Sequence, residues 1–329
     1  MARRRGKGIG LLSGGLDSLL AVKVLQQQGL DLEGIIFRTP FFGPKDAVDY
    51  EAMLQVPIAI VDIGEIHLEM LKQPIYGYGS QMNPCIDCHA LMLKQAGRTM
   101  ESEGADFLFT GEVLGQRPMS QRRDSLRSVE KLSGYPGRVL RPLSAKLLPP
   151  TAVELEGLVD RSRLLDIHGR SRKRQTALAE QFGIHEYPQP GGGCVLTKQG
   201  FVNKLRTLFQ RYPQAGVREA QMLGCGRFFQ LPSGHVLLVG RDHGDNEKLE
   251  RLADQRDYLL QVEHYPGPRG LLLLSQEWSQ DVVLAARIVA GYSDAPASEP
   301  VVVAWQRGGE RGVLREYAAE RSLFQQYMV

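Results

Sequence analysis

The feature that most constrains the fold of this chain is a glycine-rich turn near its amino terminus. The turn is Ser13-Gly14-Gly15-Leu16-Asp17-Ser18, and it lies between an apolar run at residues 9–12 and a helix-patterned run at residues 19–25. This order predicts a strand, a tight turn and a helix, whose first backbone N–H groups point at one spot and favour an anion. The two glycines let the backbone approach that anion without a side-chain clash.

Asp17 is the unusual member of the turn, because a carboxylate repels the phosphate that would be the natural anion here. Its presence is explained if it holds a magnesium ion that bridges to the phosphates. No Lys precedes Ser18, so the turn is not a Walker A loop. The alternative is a surface turn in which Asp17 caps the following helix.

Apolar runs alternate with helix-patterned runs through the first part of the chain. The expected strands are residues 8–12, 32–37, 57–62 and 107–110, and the expected helices are residues 17–28, 45–54 and 86–103. This alternation predicts an α/β fold with a doubly wound parallel sheet. In such a sheet the ligand lies beyond the carboxyl ends of the strands.

The rest of the chain predicts a second, smaller α+β domain. Residues 149–182 are expected to be mostly helical, residues 188–193 break the pattern, and residues 201–209 form another helix. We expect a first domain at residues 1–210 and a second at 214–329, with strands at 227–231, 236–240 and 270–275 and a helix at 245–260.

Composition excludes several classes of protein. The chain has 329 residues, a formal net charge of +3 and no apolar run that approaches a membrane span. The basic start is not followed by an unbroken apolar stretch, so we expect no signal peptide, no membrane partner and a cytoplasmic location. A disulfide framework is not expected in such a protein, so its four cysteines point to metal binding or catalysis.

Three of the cysteines form a constellation that several kinds of site could explain. Cys85 and Cys88 form a C-x-x-C, and Cys194 follows three glycines. They could hold an iron–sulfur cluster with one open iron, or zinc with Cys225 or His89 as a fourth ligand. Cys88 and Cys194 could instead be a redox pair that exchanges a persulfide and a disulfide, or all could be buried small side chains.

Several stretches resemble enzymes that thiolate tRNA. Residues 13–18 resemble the PP-loop of the ATP pyrophosphatase superfamily. Residues 110–116 with Ser120-Gln121, and then Arg141-Pro142-Leu143, are similar to consecutive motifs of tRNA 4-thiouridine synthetases. Asn83-Pro84 with Cys88 resembles the Asn-Pro-x-x-x-Cys of tRNA 2-thiouridylases, and Cys194 stands where their second cysteine would.

The resemblance implies that ATP adenylates a carbonyl oxygen of a tRNA uridine, with 4-thiouridine as the favoured product, and that sulfur then displaces AMP. It implies Asp17, Cys88 and Cys194 as catalytic residues and Mg²⁺ beside Asp17. The ATP-binding set is Ser13, Gly14, Gly15, Asp17, Ser18, Phe37, Gly111 and Gln116. With the additional Cys85, the three cysteines are similar to the ligand set of cluster-dependent thiolases, which hold [4Fe-4S] on three cysteines. This similarity implies that sulfide bound at the open iron, rather than a persulfide carrier, supplies the sulfur.

The usual 4-thiouridine synthetase has an amino-terminal tRNA-binding domain, and many have a rhodanese-like domain, and we expect neither here. The carboxy-terminal stretch resembles the RNA-associated domain of NFACT-type proteins, which would supply the RNA contact. The residues that carry this likeness are Gly234, Val239-Gly240-Arg241, Asn246 and Pro266-Gly267-Pro268. Three alternatives remain open: a 2-thiouridine synthase with a Cys88/Cys194 persulfide pair, another PP-loop ligase with structural zinc, and a non-catalytic RNA-binding adaptor.

A cluster of basic residues follows the first nucleotide motifs. Its members, assigned to tRNA contact, are Arg161, Arg163, Arg170, Arg172, Lys173 and Arg174. Only Asp166 opposes this positive charge, which would favour a phosphate backbone, although charge runs are more often solvated helix faces. The expected partners are tRNA and a sulfur donor, and a homodimer is a possible assembly.

Overall fold

The chain folds into two compact units. The structure is a computed structural model that describes residues 6–44, 48–187, 194–274 and 279–329. The first unit ends at Thr197 and the second begins at Lys198.

The first unit is built on a five-stranded sheet in which all neighbouring strands are parallel. Its strands are Lys7–Leu11 (β1), Asp31–Arg38 (β2), Ile58–Asp62 (β3), Phe107–Thr110 (β4) and Val139–Leu140 (β5). Their order across the sheet is β3-β2-β1-β4-β5, so the direction of winding reverses between β1 and β4. Ligands of open α/β sheets bind at the carboxyl ends of the strands beside such a reversal.

Helices cover the sheet on both faces. They are Leu16–Gln26 (α1), Tyr50–Leu54 (α2), Gly64–Lys72 (α3), Cys85–Ser102 (α4), Arg123–Ser133 (α5), Ala152–Leu155 (α6) and Lys173–Gln181 (α7), with 3₁₀ turns at Ala145–Leu147, Arg161–Arg163 and Val195–Thr197. One hydrophobic core joins α1 and α7 to the sheet, and a second joins α4 and α5 to the other face. The predicted doubly wound α/β fold is confirmed.

The second unit contains a six-stranded antiparallel sheet of order β11-β10-β8-β9-β7-β6. The strands are Arg227–Gln230 (β6), Val236–Val239 (β7), Tyr258–Val262 (β8), Gly270–Leu273 (β9), Val301–Arg307 (β10) and Glu310–Glu316 (β11). Its helices are Gln199–Arg211 (α8), Val217–Met222 (α9), His243–Leu252 (α10), Gln280–Gly291 (α11) and Arg321–Phe324 (α12), followed by a 3₁₀ turn at Gln325–Tyr327. The core of this unit packs α11 against the sheet.

Two predicted helical regions are wrong. Residues 149–182 contain short helices rather than a mostly helical segment, because Gly157 (φ 70°) and Gly169 (φ 81°) take left-handed conformations that interrupt it. The expected helix at 245–260 is α10 followed by β8, because Ala253 leaves α10 in an extended conformation (ψ 136°).

The boundary between the units also differs from the predicted 210/214. The helix α8, expected in the first domain, belongs to the second unit. Tyr212, directly after α8, donates its hydroxyl to the carbonyl of Leu273 at 2.6 Å and accepts from the backbone N–H of Val236 at 3.3 Å. These bonds tie the end of α8 to β9 and β7.

Three sequence expectations fall partly outside the described residues: the helix start at 45–47, the break at 188–193 and the strand end at 275. Within the described ranges, no helix is long and apolar enough to cross a membrane.

Candidate functional site

The glycine-rich turn follows β1 and leads into α1, as predicted. Gly15 is the N-cap of α1, and no side chain caps this helix. The N–H of Ser18 donates to the carbonyl of Gly15 at 3.1 Å, so the N–H groups of Leu16 and Asp17 are the ones available to an anion. Gly14 has φ +68°, and a Cβ at this position would lie 2.4 Å from the hydroxyl oxygen of Tyr50. Ser18 donates its hydroxyl to the carbonyl of Gly15 at 2.8 Å, so this hydroxyl stabilises the turn.

The carboxylate of Asp17 has one oxygen engaged and one without a partner. Its Oδ2 accepts a hydrogen bond from Gln116 Nε2 at 3.0 Å, and Arg172 Nη2 lies 3.6 Å from the same oxygen. Its Oδ1 is buried and has no hydrogen-bond partner among the described residues. A buried anionic oxygen in this state suits a hard cation such as Mg²⁺, so Asp17 fits the predicted role.

Gly111 brings the end of β4 directly against the start of α1. A Cβ on Gly111 would lie 2.5 Å from both the carbonyl carbon of Asp17 and the backbone nitrogen of Ser18. Only glycine permits this approach. Asp17, Gly111 and Gln116 therefore meet at the reversal of strand order between β1 and β4.

Phe37 lies one residue before the end of β2 and is only 4 % exposed. Its ring belongs to the hydrophobic core that contains Ile9 and Leu108. Its role in ATP binding stays a prediction.

A buried ionic network lies beside Gly111. Glu112 Oε2 accepts from Arg141 Nε at 2.9 Å, and Glu112 Oε1 lies 2.8 Å from His89 Nδ1. Arg141 also pairs with Glu130. Burial raises the pKa of Glu112, but Arg141 and His89 lower it more strongly, to about 2. Glu112 is thus a carboxylate at neutral pH, and it fixes Arg141 and His89 in place.

The three cysteines gather in one region of the first unit. Cys85 and Cys88 lie in the first turn of α4, and all three thiols are partly buried and free of disulfides. Burial raises the pKa of the Cys88 thiol, and the neighbouring Cys194 and Cys85 raise it further. Burial also raises the pKa of Cys194, whereas a hydrogen bond from the backbone of Leu196 lowers it. Cys194 therefore lies close enough to Cys88 to influence its pKa, while the glycines before Cys194 lie outside the described residues.

Two polar side chains contact the sulfurs. His67 Nε2 lies 3.3 Å from Cys88 Sγ, and Asn83 Nδ2 donates to Cys85 Sγ at 3.3 Å. His67 is fully buried beside the rings of Phe41 and Phe42. Burial lowers its pKa to about 4, so the imidazole is neutral at pH 7.

Short chains of contacts join the cysteines to the nucleotide turn. His89, next to Cys88, is bonded to Glu112, and Glu112 is next to the Gly111 that touches Asp17. On the other side, Arg117 lies close enough to Cys194 to lower the pKa of that thiol. Arg117 directly follows Gln116, the hydrogen-bond donor to Asp17. The cysteines and the turn therefore lie at the same edge of the sheet.

The predicted [4Fe-4S] cluster is supported by the chemistry of the donors and not by their spacing. Three thiols are the natural ligands of such a cluster. Within the described residues, however, no group of three His, Cys, Asp or Glu side chains is close enough together to hold a metal. Cys225 is buried in the second unit, so the structure does not place it among these thiols.

The predicted RNA-binding residues do not form one uniform free surface. Arg161 pairs with Glu154 and donates to the carbonyls of Ala145 and Leu148 at 2.8 and 2.9 Å. Arg163 bonds to the carbonyl of Gln27. Two of the other four members contact carboxylates: Arg172 lies 3.6 Å from Asp17, and Arg174 pairs with Asp166 at 2.6 Å. The remaining two, Arg170 and Lys173, are exposed.

Sequence reasoning missed the roles of His67, His89 and Tyr50. His67 carries no motif, and only the fold of α3 against α4 brings it to Cys88. The sequence suggested His89 as a zinc ligand or as a group beside the cysteines, whereas it forms a hydrogen bond with Glu112. The position of Tyr50 against Gly14 follows from the packing of α2 and has no local sequence signal.

In the second unit, several residues of the predicted RNA-associated motif contact one another around Gly240, directly after β7. Asn246 Oδ1 accepts from the backbone N–H of Arg269 at 2.9 Å. A Cβ on Gly240 would lie 2.0 Å from this oxygen. Arg241 pairs with Asp245 at 2.6 Å. Most of these residues therefore shape the backbone, while the Arg241 side chain is half exposed.

Comparison with known families gives one match in each unit. Residues 4–146 match the family model described as Thiamine biosynthesis protein (ThiI). Residues 226–328 match the model described as NFACT protein RNA binding domain.

Solved structures that match parts of this chain include two synthetases and one binding protein. The NH3-dependent NAD synthetase of Campylobacter jejuni is 17% identical, with a TM-score of 0.33, and the match covers 68% of this chain and 84% of the synthetase. The NMN synthetase of Francisella tularensis is 14% identical, with a TM-score of 0.27 and coverage of 57% and 90%. The carboxy-terminal part of the fibronectin/fibrinogen-binding protein of Streptococcus suis is 13% identical, with a TM-score of 0.29 and coverage of 80% and 94%.

Proposed function

Because this chain carries a ThiI domain followed by an NFACT-type RNA-binding domain, we propose that it is an ATP-dependent tRNA sulfurtransferase. The observation that carries the proposal is the meeting of the Asp17 turn and the three thiols at one edge of the sheet. An enzyme that activates a base with ATP and then delivers sulfur needs both groups within reach of one substrate atom.

In the first step, a carbonyl oxygen of uridine attacks the α-phosphorus of ATP, and the bond from that phosphorus to the oxygen bridging the β-phosphate breaks. The electron pair leaves with pyrophosphate. The amide groups at the start of α1 stabilise charge on the phosphate oxygens. Asp17 would hold Mg²⁺, which neutralises phosphate charge when bound.

In the second step, a sulfur nucleophile attacks the activated ring carbon, and AMP leaves with the former uridine oxygen. We assign Cys88 and Cys194 to sulfur delivery. If sulfide is the donor, it bonds to the ring carbon directly and no cysteine is oxidised. If the donor is a persulfide on Cys88, its outer sulfur bonds to the carbon as AMP leaves, and the Cys194 thiolate then attacks Cys88 Sγ. The S–S bond breaks with its electron pair on the thiouridine sulfur, and the Cys88–Cys194 disulfide that remains is reduced by an external thiol. Neutral His67 contacts Cys88 and keeps this sulfur in place without adding a charge. The [4Fe-4S] cluster on Cys85, Cys88 and Cys194 stays a prediction, which iron analysis of anaerobically purified protein tests.

The proposed RNA partner is tRNA, which is supported by the RNA-binding domain match of the second unit. In the first unit, the exposed Arg170 and Lys173 are the remaining candidates for phosphate contact. We favour 4-thiouridine as the product because the ThiI match includes the motifs that resemble 4-thiouridine synthetases.

Thionucleoside analysis of tRNA from cells that lack the gene tests the proposal. Loss of 4-thiouridine, restored by the wild-type gene and not by a Cys88→Ser variant, is the expected result. Loss of 2-thiouridine instead would correct the modified position. An unchanged set of thionucleosides would overturn the proposal and favour a different ligase or an RNA-binding adaptor.

A further inference from the structure

Arg172 was expected to bind RNA, yet its guanidinium lies at the nucleotide turn. Its Nη2 is 3.6 Å from Asp17 Oδ2, the oxygen that also accepts from Gln116. The side chain is one-third exposed, whereas that of its neighbour Arg174 is more than half exposed and pairs with Asp166. Arg172 therefore lies at the nucleotide turn, whereas Arg174, two positions later, pairs with an exposed carboxylate.

The backbone around Arg172 is fastened to the nucleotide site. Gly169 donates its N–H to the carbonyl of Leu114 at 2.8 Å, and His168 forms a bridge with Leu114. The helix α7, which starts after Arg172, packs against α1. The segment that carries Arg172 is thus held against both the loop after β4 and the helix after the glycine-rich turn.

A buried polar side chain lies close to Arg172 on α7. Gln175 follows Arg172 by three positions, so the two residues share a face of the helix. Gln175 is fully buried, and neither its Oε1 nor its Nε2 has a hydrogen-bond partner among the described residues. A buried amide in this state is destabilising unless something satisfies it.

We propose that Arg172 is a nucleotide-binding residue that contacts the β- and γ-phosphates of ATP and stabilises the departing pyrophosphate, with Gln175 as a polar neighbour. This inference rests on the proposed function. When the uridine oxygen bonds to the α-phosphorus and the bond to the bridging oxygen breaks, negative charge grows on the pyrophosphate. A guanidinium is suited to this charge because its planar N–H groups can bond two phosphate oxygens at once.

The test compares the affinity of purified full-length variants for α,β-methylene-ATP with MgCl2, measured by calorimetry. Arg172→Ala should bind about 10- to 100-fold more weakly, as expected for one lost hydrogen-bonded ion pair, and Arg172→Lys should be intermediate. The control is Arg98→Ala, which removes an exposed arginine that bonds to Gln95 on α4 and should leave affinity unchanged.

A parallel measurement of tRNA affinity separates the two assignments of Arg172. The inference predicts that Arg172→Ala keeps wild-type tRNA affinity. It is overturned if Arg172→Ala binds the analogue as tightly as wild type or more tightly, or if it loses only tRNA affinity. If the wild-type protein does not bind the analogue, the proposed function itself fails.

Discussion

Replacing Glu112 by Gln should destabilise the first unit by about 3 kcal/mol at neutral pH. The pKa of Glu112 falls from the ordinary 4.5 to about 2, chiefly because Arg141 and His89 outweigh the effect of burial. This difference corresponds to about 3 kcal/mol at roughly 1.4 kcal/mol per pKa unit. The Gln side chain of the variant has the same shape as Glu but no charge. Arg141, which is 3 % exposed, then keeps Glu130 as its carboxylate partner and loses Glu112. Breaking a buried ion pair commonly costs about 3–5 kcal/mol.

The assay must report on the first unit alone. Both tryptophans, at positions 278 and 305, come after Lys198, so intrinsic fluorescence follows the second unit. Native-state hydrogen exchange of the amides in β4 and α4 measures the first unit directly, and protection should fall about 100-fold. The matched control is Glu33→Gln, which breaks the partly exposed Lys7–Glu33 pair and should change stability by less than about 1 kcal/mol.

The destabilisation should depend on pH in a defined direction. A carboxyl whose folded pKa is lowered contributes its full stability above its unfolded pKa and loses it as pH falls through the folded value. The difference between wild type and Glu112→Gln should therefore be constant from about pH 6 to 8 and shrink between about pH 4.5 and 2. Equal protection of both proteins at pH 7, or a difference that grows on acidification, would refute this reasoning.

Three further substitutions test separate parts of the site. Gly111→Ala places a Cβ 2.5 Å from the backbone of Asp17 and should weaken ATP binding more than tenfold. The control Gly200→Ala, with open space around it, should leave ATP affinity unchanged. Equal ATP affinity of Gly111→Ala and wild type would contradict the role of this close approach. Asp17→Asn should abolish the Mg²⁺ dependence of ATP affinity, measured by titration with and without the metal, and retained dependence would exclude Asp17 as its ligand. Cys88→Ser should stop thiouridine formation yet retain tRNA-dependent exchange of pyrophosphate into ATP. The control Cys225→Ser, in the second unit, should leave both activities unchanged. Full thiolation by Cys88→Ser would show that Cys88 does not deliver sulfur.

Local patterns in the sequence were sufficient to predict the fold of the first unit. The glycine-rich turn, the strands and the helix after the C-x-x-C each have a signal within a few residues, and the structure confirms these elements. The strand at 57–62 was expected to be buried, but it forms the edge strand β3, in which Ile60 is 52 % exposed. The segment at 149–182 was misassigned because its turns depend on Gly157 and Gly169 in left-handed conformations, which composition alone does not reveal.

Contacts between segments that are distant in the chain could not be predicted from the sequence. The fold brings Arg172 to Asp17 and His67 to Cys88, and no short-range pattern encodes either pair. The basic run around Arg172 suggested one continuous RNA surface. Four of its six members instead form individual contacts with acidic side chains or backbone carbonyls, as Arg161 and Arg174 show.

The central claim is that ATP activates a uridine oxygen at the Asp17 turn and that sulfur from the cysteine region replaces it. The most direct measurement follows this oxygen, using tRNA whose target uridine carries ¹⁸O at the carbonyl that is exchanged. The account predicts one ¹⁸O in AMP for each thiouridine formed. Unlabelled AMP produced together with thiouridine would contradict it, because the uridine oxygen would then never have been bonded to phosphorus.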